Sequence, residues 1–250
     1  RYKNVGKLLA DHPQQVELWR GDILDGPLLD RVMRGVDYVL HHAAMPSVTW
    51  SVEQPIECER INAAGTLAVL EAVRRQGGTV QRVVLATSCA AYGDLRPSEA
   101  KREDHEVAPL SPYAAAKLTC EHYAAVYSRI YQVPTVALRY FNVAGADAQG
   151  RTGQSTAGAT HLIKVAVEAA LGKRESVSVY GTDYDTDDGT GVRDYIHVSD
   201  LAAAHVIALQ ALMADRVTSH TLNCGYGHGY SVMQVLDAVD RVTNQKIVRK

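Results

Sequence analysis

Apolar residues along the chain fall into short unbroken runs, separated by longer stretches in which they recur every three or four positions. Val36–Leu40, Arg82–Ala86 and Thr135–Leu138 are such runs, rich in valine and leucine, and they predict strands buried on both faces. Asn62–Arg75 and Tyr113–Tyr131 have helical spacing and many alanines, and they predict helices. Alternation of this kind builds a doubly wound α/β fold: a parallel sheet covered by helices, with ligands bound at the carboxyl ends of the strands. Val16–Trp19, followed by Gly21-Asp22-Ile23, is the first strand candidate, and Arg1–Pro13 ahead of it is polar.

A dinucleotide-binding fold opens with a strand, a glycine-rich turn and a helix, and nothing here matches that unit. Either the fold binds no dinucleotide, or the chain begins after its phosphate loop. Beyond Asn142 the texture changes. Ala144–Thr160 is rich in Gly, Ala, Thr and Gln and predicts a loop. A helix (His161–Leu171), a short strand (Ser176–Tyr180) and a second loop (Gly181–Gly191) are expected next. Helix Ser199–Met213 and strand Thr221–Asn223 should return to the main domain. A last helix, Ser231–Thr243, follows the glycine-rich Gly225–Gly229. The expected division is a main domain over 1–142 and a smaller substrate-binding lobe over 143–250, with 192–223 returning to the main domain.

With 250 residues, 46% hydrophobic and 22% charged, the chain can bury a sizeable core. Its net charge of −2 offers no general attraction to nucleic acid or an anionic membrane, so an anionic ligand needs local groups. Cys58, Cys89, Cys120 and Cys224 lie far apart with no C-x-x-C pair, which argues against a zinc site or disulfide framework and for a reducing compartment. No apolar run is long enough to span a bilayer and no signal peptide opens the chain, so the cytoplasm is expected.

The strongest chemical signal is Tyr113-Ala-Ala-Ala-Lys117, whose ends share one helix face. An ammonium beside a phenol favours the phenolate, and such a tyrosine can serve as general base and then general acid. Alone, this spacing usually marks a surface pair. Ser88 changes the odds, because it follows the run Arg82–Ala86 and so stands at a strand's carboxyl end. Ser111-Pro112 just before the tyrosine suits a helix start. His41, His197 and His205 are expected to pack or face solvent, Cys89 to be a small buried residue, and no clustering suggests a metal.

Several segments resemble the UDP-glucose 4-epimerase family in order and spacing. They are Thr87-Ser88-Cys89-Ala90-Ala91-Tyr92-Gly93, Ser111-Pro112-Tyr113 with Lys117, Leu138-Arg139-Tyr140-Phe141-Asn142, and Asp188–Val198 with Tyr180–Tyr184 ahead of it. The resemblance runs from about Gly21 to the end. It implies a Rossmann-like fold of the extended short-chain dehydrogenase type, with the glycine-rich turn and a C-terminal part of the lobe lying outside these residues. It also implies NAD as cofactor, a UDP-sugar as substrate, a homodimer, and inversion at C4 of a UDP-hexose through a 4-keto intermediate.

The family's roles fall on matching positions. Tyr113 would be the base on the sugar 4-hydroxyl, Ser88 its hydrogen-bonding partner, and Lys117 the group that tunes Tyr113 and holds the nicotinamide ribose. Asp22 and Ile23 would contact adenine, and His42, Ala43, Ala44, Asn62 and Phe141 would line the rest of the cofactor. Asn142, His161, Leu162, Tyr180 and Arg193 would grip the nucleotide sugar, with Arg193 on the diphosphate and Tyr180 on the uracil. His161 has an alternative role as a local cap. Met45-Pro46-Ser47 leans toward enzymes of N-acetylated sugars, and Gly181–Val198 toward the glucose type. Two rivals remain: a 4,6-dehydratase or decarboxylase of the same fold, and a non-catalytic NAD-binding protein. A dehydratase would carry an acidic pair where Cys89 and Ala90 stand, and a non-catalytic relative typically loses the tyrosine or lysine, both present here.

Overall fold

The computed structural model describes residues 2–94, 100–156, 158–214 and 219–250. Along the chain, α1 (Tyr2–Asp11) and α2 (Gly26–Val32) precede strand β1 (Tyr38–His41). Helices α3 (Val48–Glu53) and α4 (Pro55–Glu59) then run through a π-helical turn, Arg60–Ala64, into α5 (Gly65–Arg75). Strand β2 (Arg82–Ser88) ends in a 3-10 turn, Cys89–Tyr92, and α6 (Pro112–Tyr131) leads to β3 (Thr135–Tyr140) and β4 (Asn142–Ala144). Next come α7 (Leu162–Ala170), β5 (Val192–Arg193), β6 (Tyr195–His197) and α8 (Val198–Met213). Last are β7 (Ser219–Cys224), β8 (Tyr230–Ser231) and α9 (Val232–Thr243).

Two compact units emerge: Leu18–Tyr140 with Ala202–Cys224, and Arg1–Glu17 with Phe141–Leu201 and Gly225–Lys250. The first holds a four-stranded sheet in the order β1-β2-β3-β7, with every pair parallel. Its central strands are buried along nearly their whole length, as expected of apolar runs without alternation. Val69, Leu70 and Val73 of α5 pack with Leu29, Met33, Val83 and Tyr127 in the main core cluster. Leu85 of β2 and Ala137 of β3 pack against Cys120 and Ala124 of α6. Helix α6 starts at Ser111, which caps it, with Pro112 in its first turn, and ends at Gln132 in the left-handed region.

The second unit packs Ala166 of α7 against Leu236 of α9, with Val177 and Ile247. Strand β4 pairs parallel with β6, and β5 pairs antiparallel with β8. Ser231 and Gln234 form a capping box at the start of α9.

Two expectations are corrected, and one segment gains an element. Val16–Trp19 joins no ladder among the described residues; β1 is the outermost strand on its side of the sheet, and Leu18 and Trp19 are exposed. Ser176–Tyr180 makes only an isolated bridge, Val177 to Arg249, because residues 248–250 are its one backbone partner among the described residues. The polar opening segment is helical, over Tyr2–Asp11. Val5, Leu8 and Leu9 already carry the spacing of a helical stripe.

Candidate active site

Ser88 closes β2 and caps the turn that follows, its Oγ accepting the Ala90 N–H at 3.2 Å. Gly93 ends that turn at φ +66°, where a Cβ would stand 1.9 Å from the Ala108 carbonyl oxygen, so only glycine fits. Tyr113 is the second residue of α6. Its N–H donates to Ser51 Oγ at 3.2 Å, and the next amide, Ala114, donates to Ser111 Oγ at 3.1 Å. Ser51 in turn donates to the Val48 carbonyl at 2.6 Å. Two otherwise unpaired first-turn amides thus meet serine hydroxyls, one local and one from α3, and the helix start is held from two sides. The Ser88 side chain is a neighbour of the Tyr113 phenol, near enough to favour its ionised form. One turn along α6, Lys117 is 5% exposed and donates from Nζ to the Ala86 carbonyl at 2.9 Å, two residues before Ser88. The strand end and the helix face therefore converge on one spot.

The electrostatics differ from what the spacing suggests. Burial pushes the Tyr113 phenol above its ordinary value, outweighing the neighbouring Ser88 hydroxyl, which pulls the other way. Burial likewise lowers Lys117, against the pull of Cys120, Cys58 and Glu121. The expected lowering of Tyr113 by an adjacent ammonium is not what this structure contains. Both charged forms lose hydration together, and Lys117 turns its ammonium to a backbone carbonyl.

The other residues of the first unit named from the sequence make contacts of their own. Asp22 is exposed, its Oδ1 accepting the Leu24 N–H at 3.0 Å. Ile23 packs onto α5 where Gly65 leaves room; a Cβ there would come within 2.4 Å of Ile23 Cδ1. His42, Ala43 and Ala44 follow the carboxyl end of β1. The His42 ring stacks on His205 at 4.7 Å, and Tyr140 Oη lies 2.5 Å from His205 Nε2. Burial, then His205 and Lys117, lower the His42 pKa. Asn62 is spoken for: its Oδ1 accepts the Met45 N–H at 2.8 Å, and its Nδ2 donates to Met45 O and Cys58 Sγ, both at 3.2 Å. It holds the loop after β1 in place. The group suits a dinucleotide. Lys117 keeps N–H donors beyond the one given to Ala86, fit for ribose hydroxyls, and the exposed Asp22 carboxylate can accept from a base amine.

In the second unit, Asn142 and Arg193 are brought together through Asp194. The Asn142 backbone and side-chain N–H groups both donate to the Asp194 carbonyl, at 3.0 and 3.1 Å. The Asp194 carboxylate accepts from the Tyr226 and Gly227 amides at 3.0 and 2.8 Å. Phe141 lies against Gly225. Arg193 is exposed, with Nη1 donating to the Val192 carbonyl. Tyr180 is 86% exposed, and Leu162 packs into the cluster between α7 and α9. His161 precedes α7 without capping it; its Nδ1 lies 3.2 Å from Gln154 Nε2. Cys89 is half-buried rather than buried, and all four cysteines are free. Among the described residues, no group of His, Cys, Asp or Glu could hold a metal ion. Ser51 is the contributor that the sequence did not point to. It is a lone serine, 62 residues from the amide it caps, and nothing in the local pattern marks it.

The fold recurs in known proteins. The model of the NAD dependent epimerase/dehydratase family matches residues 2–225. A UDP-glucose 4-epimerase of Azospirillum brasilense is 47% identical over 237 residues, covering 94% of this chain and 67% of that protein. The solved UDP-glucose 4-epimerase of Brucella ovis, in complex with NAD, superposes with a TM-score of 0.89 at 35% identity, covering 99% of this chain and 81% of its own. That of Stenotrophomonas maltophila, with bound NAD and formylated UDP-arabinopyranose, reaches a TM-score of 0.91 at 35% identity, covering 98% and 73%. A family model that matches residues 2–225, together with relatives and structures alike over nearly the whole chain, places the chain in the NAD dependent epimerase/dehydratase family.

Proposed function

We propose that Ser88, Tyr113 and Lys117 carry the NAD-dependent inversion at C4 of a UDP-hexose. The observation that supports this most is the meeting of α6 with the carboxyl end of β2, where Lys117 Nζ donates to the Ala86 carbonyl at 2.9 Å, two residues before Ser88. Tyr113 exchanges a proton with the sugar 4-hydroxyl, and Ser88 holds the reacting oxygen beside it. Lys117, anchored on Ala86, offers its remaining donors to the ribose. NAD, when bound, supplies the acceptor and donor of the C4 hydride. Asp22, Ile23, His42, Ala43, Ala44 and Phe141 line the cofactor, and Asn62 shapes that lining by fixing Met45. Asn142, His161, Leu162, Tyr180 and Arg193 hold the nucleotide sugar. Cys89 and Ala90 stand where a dehydratase would need acids, which favours epimerisation over elimination.

On this reading the main cofactor-binding domain spans 1–142 and the substrate lobe most of 143–250. The protein works as a homodimer in the cytoplasm, and light scattering tests the dimer. No helix of the described residues is long and apolar enough to cross a membrane. The test of the chemistry is to supply UDP-galactose and measure UDP-glucose for the parent and for Tyr113→Phe. General acid–base catalysis is worth about 10²–10⁴-fold, so the variant should lose turnover by that factor while keeping its fold. Turnover within a few-fold of the parent would remove Tyr113 from the mechanism.

A further inference from the structure

Tyr113, Lys117 and Glu121 succeed one another at intervals of four on α6 and so lie on one face of the helix. Glu121 and Arg139 form a buried ion pair, 6% and 5% exposed. Arg139 donates from Nε to both carboxylate oxygens at 3.0 and 3.2 Å, and from Nη2 to Oε2 at 2.7 Å. The same guanidinium sits 4.6 Å from the centre of the Tyr92 ring, which is fully buried and closes the turn begun by Ser88. Tyr92 Oη donates to Asn223 Oδ1 at 2.8 Å. In sheet register Thr87, Arg139 and Asn223 stand side by side across β2, β3 and β7. Arg139 Nη1 meets no acceptor among the described residues, so the pair is an incompletely satisfied buried charge. Arrangements of that kind add little stability over apolar side chains of similar size.

We propose that Arg139 is a positioning residue. From the middle of the sheet it grips the helix that carries Tyr113 and Lys117 through Glu121, and the turn that carries Ser88 through Tyr92, and so sets the spacing between them. This rests on the catalytic reading of those three residues given above. It explains why a costly charge is kept in an otherwise apolar strand, Thr135–Tyr140.

The test uses the protein as its source organism makes it, with the paired substitution Arg139→Met and Glu121→Met, which leaves no buried charge behind. The fold and melting temperature should survive. With the grip gone, kcat for UDP-galactose should fall by about ten- to a hundred-fold, the scale of a small misplacement of reacting groups, with KM changed much less. The rising limb of the pH profile should also move to higher pH, because Ser88 no longer supports the Tyr113 phenolate. A purely structural role would lower stability without moving that limb. Arg139→Lys keeps the charge but not the two parallel hydrogen bonds, so it should show the same kcat loss. That variant decides alone if the paired one aggregates. Tyr113→Phe is assayed alongside. If it is inactive while both Arg139 variants stay within about three-fold of the parent and keep its pH profile, the positioning role is overturned and the catalytic reading stands. If Tyr113→Phe is active, the catalytic reading fails and takes this proposal with it.

Discussion

At neutral pH the His41 ring is buried without charge, and acidification should cost the fold stability through it. The ring donates from Nε2 to Thr66 Oγ1 at 3.0 Å, since the Thr66 hydroxyl proton is engaged with the Asn62 carbonyl at 2.7 Å. Protonation would place a cation in the core beside Lys117 and His42. Burial first, then those two neighbours, lower the pKa from 6.5 to about 4. Between these values the unfolded chain binds a proton that the folded chain refuses, so stability falls as pH drops through the window. Lowering a pKa tenfold in acid strength corresponds to about 1.4 kcal/mol, which makes the full effect about 3 kcal/mol and the loss by about pH 5 roughly 2 kcal/mol. For a domain of this size that is a drop in Tm of about 4–8 °C. His41→Gln keeps a donor for Thr66 and cannot titrate. Carboxylates do not confuse the comparison: Arg74 and Lys164 hold Glu71 and Glu168 at about 2, and such groups withdraw stability only as pH falls below their ordinary value of 4.5. Thermal melts of both proteins from pH 7 to pH 5 provide the assay. The parent should lose several degrees more than the variant, and parallel curves agreeing within about 1 °C would refute the reasoning.

Other outcomes follow from single contacts. Ser51→Ala removes the acceptor for the Tyr113 amide, and should cost about 1 kcal/mol in chemical denaturation together with a fall in kcat; unchanged kcat would mean the cap does not position Tyr113. Gly93→Ala drives a Cβ into the Ala108 carbonyl at a positive φ, and should destabilise by more than about 2 kcal/mol, whereas an unchanged denaturation midpoint would contradict the turn described. On the mixed signals of Met45-Pro46-Ser47 and Asp188–Val198, the enzyme should turn over UDP-galactose and also UDP-N-acetylgalactosamine. A kcat/KM ratio above about 10⁴ either way would mean a single substrate.

The elements legible in the sequence were those whose burial shows in a local pattern. β2 and β3 are central strands, covered on both faces, so their residues run apolar without a break. Helix α6 announces its start with Ser111-Pro112, and α9 with Ser231 three residues ahead of Gln234. The misread elements depend on a partner. Val16–Trp19 has the composition of a strand but no ladder to join among the described residues, and Ser176–Tyr180 has three residues of partner rather than a sheet. Two-residue strands such as β5 exist only because β8 lies opposite, and no periodicity can show in two residues.

The site divides in the same way. Tyr113 and Lys117 were visible because their relation is local, four residues along a helix, and Ser88 because it ends an apolar run. What orients them is long-range: Ser51 reaches Tyr113 across 62 positions, and Tyr92 reaches Asn223 across 131. Arg139 carries a further signal, as a lone charge in the run Thr135–Tyr140, because a charge inside a buried strand requires a partner. Its partner is one turn beyond Lys117 on the very helix that carries the tyrosine. A charged residue in a buried strand near a strand-end serine therefore directs attention to the acids following the lysine, and here that rule leads from Arg139 to Glu121.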